Sequence, residues 1–359
     1  MMRKNDFYAV ILSGGSGERF WPLSTPDRPK QFLTVFGGKS LLRQAVDRLK
    51  GLVPPERVLV VTAASLVKAT RTELPELPRA NIVAEPCRRD TAAAVATACG
   101  VVEGRGGTNA VAAILTADHV MCDVAAFRRV LADAARAAAK TDDIVTMGVA
   151  PDYPATGFGY IHVGQPVDLG TKTVFARAVK FVEKPDARTA RRYLASRRYV
   201  WNAGMFVWRV ATMKSALLKG APALAILEAT VAAARGARNV QKVLATYYPQ
   251  LPKISIDYAV MEKSSNILVS RGAFGWDDVG TWTSADKHLA TDARRNVAKG
   301  EVALLDVTDS IVLSTGPQIA ALGVANVVVV ATKDSVLVAD KARVQDLKKL
   351  LAKLNANGR

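Results

Sequence analysis

The chain has 359 residues, half of them hydrophobic, and a formal charge of +17. That length can bury one large core with room for a second small domain, and the absence of low-complexity runs excludes a disordered chain. No apolar stretch of membrane-spanning length is present, and MMRKNDFYAV runs into a strand with no signal-peptide core, so a cytoplasmic protein without a membrane partner is expected. Cys87, Cys99 and Cys122 have neither disulfide nor metal-ligand spacing, as expected of thiols in a reducing compartment. The positive charge is scattered in pairs such as Arg88-Arg89, Arg191-Arg192 and Lys348-Lys349, on segments that read as exposed helix faces. No aromatic interleaving, zinc finger or recognition-helix pattern goes with them, so no nucleic-acid partner is expected; attraction of highly charged phosphate substrates is enough.

In chain order, the apolar run at residues 8–12 predicts a buried strand, too short for a helix with a polar face. It empties into Ser13-Gly14-Gly15-Ser16-Gly17, where missing Cβ atoms let backbone N–H groups turn toward an anion, and two cations follow, Arg19 and Lys30. A strand leading into a glycine-rich, cationic loop is the design of a phosphate site. A dinucleotide fingerprint fails because Phe20 stands at its third glycine. A P-loop ending in Gly38-Lys39-Ser40 fails because Leu33 stands at its first. The nucleotidyltransferase pattern G-G-x-G-x-R followed by a lysine is filled at every position.

Ser40 then predicts the cap of a helix over 41–50, stopped by Gly51. Strands at 57–62 and 81–84 flank a helix at 67–73. The loop Glu85-Pro86-Cys87-Arg88-Arg89-Asp90-Thr91 enters an alanine-rich helix, which Asp90 or Thr91 can cap. A strand at 110–115 carries Asp118 just past its C-terminal end. In open α/β sheets ligands bind there, and an acid beside a phosphate loop is a natural ligand for Mg²⁺. Asp123 caps a long helix, a strand follows at 144–149, and Gly157-Phe158-Gly159 lets the backbone lie against a flat or polyhydroxylated ligand. VKFVEKP, 179–185, reads as a strand whose adjacent Glu183 and Lys184 point to opposite faces unless the strand end twists. A helical region covers 211–245. Beyond Asn296 the runs EVALLDV, SIVLS, VVVVAT and SVLVAD suggest a small coiled β-domain, closed by an amphipathic segment over 341–354. The alternation of strands and helices predicts an α/β fold with a mixed, mostly parallel sheet flanked by helices, in a domain over 1–290, with a β-rich domain over 291–359.

The stretch AVILSGGSGERFWPLSTPDRPKQFL resembles the signature of sugar-1-phosphate nucleotidylyltransferases, and within them the mannose-1-phosphate guanylyltransferases. Phe20-Trp21-Pro22-Leu23-Ser24 and Pro29-Lys30-Gln31-Phe32 separate it from glucose-1-phosphate relatives. Glu85 to Ala92, Thr116-Ala117-Asp118-His119, Gly157 to Ile161, Asn202 to Phe206, Ser255 to Lys263 and Trp276 to Gly280 match in order along almost the whole chain. The resemblance implies a Rossmann-like, GT-A-like nucleotidyltransferase domain. It implies that Leu12, Ser13, Gly14, Gly15, Gly17, Glu85, Asp90 and Thr91 bind the nucleotide. Gly159, Glu183, Lys184 and Asn202 would bind the sugar phosphate, and Asp118 and Asp278 would hold Mg²⁺, with Asp277 the runner-up. Asp257 is expected to order the site through hydrogen bonds, and His119 is given no role.

The implied reaction joins GTP and mannose 1-phosphate to give GDP-mannose and pyrophosphate, with Arg19, Lys30, Asp118 and Asp278 as the catalytic set. A carboxylate such as Glu85 can accept both N1–H and the N2 amino group of guanine, which adenine cannot offer. A homodimer is compatible with this reading. Longer bifunctional relatives continue into a phosphomannose isomerase domain; this chain stops at Arg359, so that activity is expected to be absent. The rival readings are a nucleotidyltransferase for another base or sugar, and a catalytically silent sensor of GDP-mannose. Joint retention of Arg19, Lys30, Asp118 and Asp278 weighs against the sensor.

Overall fold

The computed structural model describes residues 6–15 and 17–357, so Ser16 of the glycine loop lies outside the described residues. The described residues form two compact units: 6–14, 45–117 and 121–276 make the larger, and 15, 17–44, 118–120 and 277–357 the smaller.

The strands of the first 277 residues are β1 (Phe7–Ser13), β2 (Val58–Ala63), β3 (Ile82–Glu85), β4 (Val111–Thr116), β5 (Val120–Met121), β6 (Ile144–Val149), β7 (Tyr160–Val167), β8 (Phe175–Val182), β9 (Tyr199–Arg209), β10 (Ile267–Arg271) and β11 (Trp276–Asp277). Nine of them make one sheet in the larger unit, ordered β3-β2-β1-β4-β9-β6-β10-β8-β7. The quartet β3-β2-β1-β4 is parallel, joined by helical crossovers. Strand β9 enters antiparallel between β4 and β6, and β8 and β7 are antiparallel as well, so the sheet is mixed and its parallel character is concentrated around β1. Central strands covered on both faces read as unbroken apolar runs, as FYAVILS of β1 does.

The helix Asp90–Gly106 is buried along most of its length, and its run of alanines brings neighbouring elements close. At Gly100 a Cβ would stand 2.4 Å from the Glu228 carbonyl of the helix Pro222–Ala233. That packing buries the Glu228 side chain completely. Lys214 donates to Glu103 at 2.7 and 2.9 Å and stands 3.9 Å from Glu228. Burial, reinforced by Glu103, raises the Glu228 pKa well above the carboxylate range. A raised acid contributes stability that is complete below its unfolded pKa and lost as pH rises toward the folded one. Glu228→Gln should therefore raise Tm by a few degrees at pH 8 and by little at pH 5; a gain independent of pH would show that Glu228 is ionised throughout.

The smaller unit ends in a parallel β-coil of β12 (Val297–Lys299), β13 (Val302–Leu305), β14 (Ile311–Ser314), β15 (Ile319–Leu322) and β16 (Val327–Ala331), closed by β17 (Val336–Asp340), which runs antiparallel to β16. β12, β14 and β16 stack in parallel register and β13 pairs with β15, so each turn of the coil sends one strand to each of two faces. Val297, Ile311, Leu313, Val328 and Val330 point inward and join one core with Phe20, Leu33, Phe36 and Trp282. Phe20 meets Trp282 edge-on at 5.1 Å, and the Trp282 indole N–H donates to the Trp21 carbonyl at 3.2 Å. The Phe20-Trp21 motif is thus the anchor that ties the loop after β1 to the C-terminal coil.

Candidate active site

The loop after β1 is shaped by what cannot fit in it. Gly15 and Gly17 have φ of +102° and +61°. A Cβ on Gly17 would lie 2.4 Å from the Lys30 backbone nitrogen, so only glycine allows the chain to pass over the turn Lys30–Phe32. The Ser24 hydroxyl closes the loop by donating to the Gly17 carbonyl at 2.6 Å. Leu12, Ser13 and Gly14 belong to β1 and its exit; the Leu12 carbonyl accepts from Ala117 N–H and the Ser13 carbonyl from the Thr62 hydroxyl.

Within the smaller unit the structure brings Lys30, Asp118 and Asp278 together around a cavity of about 230 Å³ that Arg19 and His119 also line. Lys30 is 9% exposed; its ammonium donates to Asp118 Oδ2 at 2.9 Å and to the Asp278 carbonyl at 2.5 Å. Burial works against ionisation of Asp118, but the Lys30 ammonium, with His119 beside it, holds the carboxyl below its usual range. Asp278 goes the other way, pushed up to about 6 by burial and by Asp277 and Asp118, with Lys30 and Arg19 opposing.

Asp277, the runner-up, is fully engaged: Oδ1 accepts from Val279 N–H at 2.7 Å and Oδ2 meets His288 Nε2 at 3.0 Å. It braces the turn, where Val279 has φ of +48°, and leaves the Asp278 carboxylate to face the cavity. Among the described residues no cluster of three or more His, Cys, Asp or Glu side chains forms a complete metal cage. Asp118 and Asp278 nevertheless fit a hard divalent cation in donor type, because carboxylate oxygens are the ligands such a cation takes.

The larger unit gathers the sugar-phosphate candidates. A Cβ on Gly159 would meet Glu183 Oε2 at 2.5 Å, so the missing side chain is what lets Glu183 lie across this turn. Lys184 has φ of +45°, the twist that lets adjacent residues share one side, and its ammonium reaches Glu183 Oε1 at 3.1 Å. Asn202 is engaged on both amide atoms. Its Oδ1 accepts from the Thr146 hydroxyl and Gly204 N–H, each at 3.1 Å, and Nδ2 donates to Asp257 Oδ1 at 3.0 Å, leaving one N–H for a ligand. Burial, then Glu183, pushes Asp257 up to about 7. Glu262 accepts from Glu183 N–H at 3.0 Å. The Asn202 bond draws Asp257 into this cluster, and Glu262, in the same Ser255–Lys263 segment, joins it through the Glu183 main chain.

At the end of β3, Glu85 is half-buried and accepts a short hydrogen bond from the hydroxyl of the fully buried Tyr248. Burial raises the Glu85 pKa, and the Tyr248 bond partly offsets that rise. Tyr248 carries no sequence signal, since it lies more than 160 residues from its partner. Asp90 and Thr91 do not cap the helix they open. Asp90, at φ of +65°, bonds the next N–H through its own carboxylate, and the Thr91 hydroxyl accepts from Ile256 N–H at 2.9 Å.

A strand emptying into a glycine loop, with a lysine and two aspartates behind it, defines a nucleotidyltransferase. The nucleotidyl transferase family model matches residues 8–294, and the chain belongs to that family. Residues 300–354 match the MannoseP isomerase/GMP-like beta-helix domain, the coil of β13 to β17 and the helix after it. The mannose-1-phosphate guanylyltransferase ManC of Salmonella typhimurium is 38% identical over all of this chain and 75% of its own length. The alginate biosynthesis protein AlgA of Pseudomonas aeruginosa is 38% identical over 98% of this chain and 72% of its own. A crystal structure from Thermus thermophilus, described as a mannose-1-phosphate geranyltransferase, superposes with a TM-score of 0.86 at 36% identity, covering 98% of this chain and 99% of that one. No described helix is long and apolar enough to cross a membrane.

Proposed function

We infer that the chain is a mannose-1-phosphate guanylyltransferase: it transfers GMP from GTP to α-D-mannose 1-phosphate, giving GDP-mannose and pyrophosphate. The observation that carries this reading is the Lys30 ammonium seated on Asp118 and the Asp278 carbonyl, at the cavity behind the glycine loop. The relatives' names supply the sugar and the base. The family matches over 8–294 and 300–354 support a catalytic domain over 1–290 and a β-rich domain over 291–359.

The nucleophile is already an anion, so no protein base is needed. A phosphate oxygen of the sugar phosphate forms a bond to the α-phosphorus of GTP while the α–β bridging P–O bond breaks, and its electrons leave on pyrophosphate. Catalysis is positioning and neutralisation of charge. Arg19 and Lys30 meet the charge that grows on the departing pyrophosphate. Glu183 and Asn202 take sugar hydroxyls and Lys184 takes the sugar phosphate. The glycine-loop N–H groups, with Asp90 and Thr91, receive the nucleotide. A divalent cation such as Mg²⁺, held by Asp118 and Asp278, would supply neutralisation of phosphate oxygens on both substrates.

Pyrophosphate release measured with GTP, ATP, UTP and dTTP against mannose 1-phosphate and glucose 1-phosphate tests this. Turnover should be fastest with GTP and mannose 1-phosphate. A different preferred pair would move the specificity, and absence of turnover with every pair would favour the silent sensor. Base choice has its own test in Glu85. Oε1 is oriented by Tyr248, leaving Oε2 to accept from guanine. An unsatisfied buried polar group costs about 1–3 kcal/mol, so Glu85→Gln should narrow the GTP-over-ITP preference by about tenfold with little change in KM for mannose 1-phosphate. Unchanged selectivity would transfer the guanine contacts to the backbone of Leu12 to Gly14.

A further inference from the structure

A second cavity, of about 310 Å³, lies in the larger unit beside the edge strand β3. Val83 of β3, Val101 of the helix Asp90–Gly106, Val231 of the helix Pro222–Ala233 and Val240 of the helix Ala237–Tyr247 give it an apolar floor. Arg71, Arg79, Arg105, Arg235 and Arg238 rim it, and no acidic residue is among its lining residues. Arg105 is held in place by neutral acceptors: Nη1 donates to Asn81 Oδ1 at 2.7 Å and Nη2 to the Ala80 carbonyl at 2.9 Å. Asn81 is itself fixed because its two Nδ2 hydrogens are shared among the carbonyls of Pro55, Glu56 and Val58 at 3.1, 3.0 and 2.9 Å. Solubility alone does not call for five guanidinium groups around one apolar cavity with no carboxylate among them, because like charges repel. None of these residues belongs to the candidate active site.

We propose that this cavity binds a small phosphorylated metabolite, its phosphate on the arginine rim and an apolar or flat body on the valine floor. Guanidinium groups recognise phosphate through paired N–H donors, and the apolar floor supplies the remaining affinity. The volume stands at the lower end for small-molecule sites, which suits a single ring with one phosphate group.

The cavity is also wired to the base carboxylate. Ala84 lines it and Glu85 is the next residue. Gln241, with its amide oriented to satisfy both groups, donates to the Ala84 carbonyl at 3.3 Å and accepts from Ala84 N–H at 3.1 Å. It sits on the helix Ala237–Tyr247, which leads directly into Tyr248, the hydroxyl donor to Glu85. A ligand gripping Arg238 and Arg79 therefore touches the helix that leads into Tyr248 and the turn that opens β3, whose last residue is Glu85, and occupancy changes the affinity for GTP. That consequence rests on the assignment of Glu85 to the base; the binding site does not.

Titration of the full chain with phenyl phosphate, followed by calorimetry, tests the site without any turnover. The parent should bind saturably with Kd of about 1 mM or below. The double variant Arg79→Glu/Arg238→Glu should bind at least tenfold more weakly while keeping the parent Tm and its kcat in the absence of phenyl phosphate. Arg19→Ala should bind phenyl phosphate as the parent does. Inorganic phosphate and phenol should each bind more weakly than phenyl phosphate, one lacking the body and the other the charge. Lack of saturation, or loss of binding in Arg19→Ala and not in the double variant, would overturn the site; the latter would assign the anion to the glycine loop. Saturating phenyl phosphate should shift the GTP Kd at least twofold in the parent and not in the double variant. Binding without that shift overturns the coupling and leaves the site standing.

Discussion

Asp118→Asn should lower kcat by about a hundred- to a thousandfold and leave Tm nearly unchanged. The substitution keeps the shape of the side chain and removes one negative charge from the cavity that Lys30, Asp278 and Arg19 share. A divalent cation held by two carboxylates would lose half of its charged protein ligands, and loss of about 3–4 kcal/mol of transition-state stabilisation gives that range. The fold is insensitive because the Asp118 side chain is 31% exposed and follows the strand β4 without packing in its core. The measurement is pyrophosphate release at saturating GTP and mannose 1-phosphate across a wide Mg²⁺ range. A parent-like rate at high Mg²⁺ would show that the metal and phosphate chemistry lies elsewhere.

Lys30→Met should be as damaging, for a different reason. The Lys30 ammonium is the cation that the protein itself places against Asp118 and the Asp278 main chain. Removing it leaves Asp118, Asp278 and Asp277 to repel one another and deprives the departing pyrophosphate of a positive partner. A fall in kcat/KM of about a thousandfold is expected, most of it in kcat, because the leaving-group charge is greatest in the transition state. Lys30→Arg should restore little. Bare Gly17 presses against the Lys30 backbone, and a planar guanidinium cannot take the seat of a compact ammonium in so buried a position. If KM for GTP rose while kcat stayed within threefold, Lys30 would be a ground-state anchor and Arg19 the group that follows the developing charge.

The sequence by itself determined the elements that local chemistry dictates. The apolar run of β1, the glycines after it, the helices opened by Ser40 and Asp123 and the short strands beyond Asn296 are all found, because burial period, missing Cβ atoms and side-chain caps act within a few residues. The choice of Asp278 over Asp277 was legible only as a resemblance. In the structure Asp277 is occupied by Val279 N–H two residues on and by His288 eleven residues on, while Asp278 lines the cavity.

Other features had no local signal at all. Antiparallel insertion of β9 between β4 and β6 is decided by which strands pair, and an apolar strand reads the same in either direction. Phe20 and Trp21 follow the glycine loop in the chain, yet their partners are Phe36 and Trp282, in one core with the C-terminal coil. Tyr248 on Glu85 and Asp257 on Asn202 join residues 163 and 55 positions apart. Only folding brings such groups within hydrogen-bonding range, and burial then shifts Glu85 and Asp257 away from ordinary carboxylate behaviour.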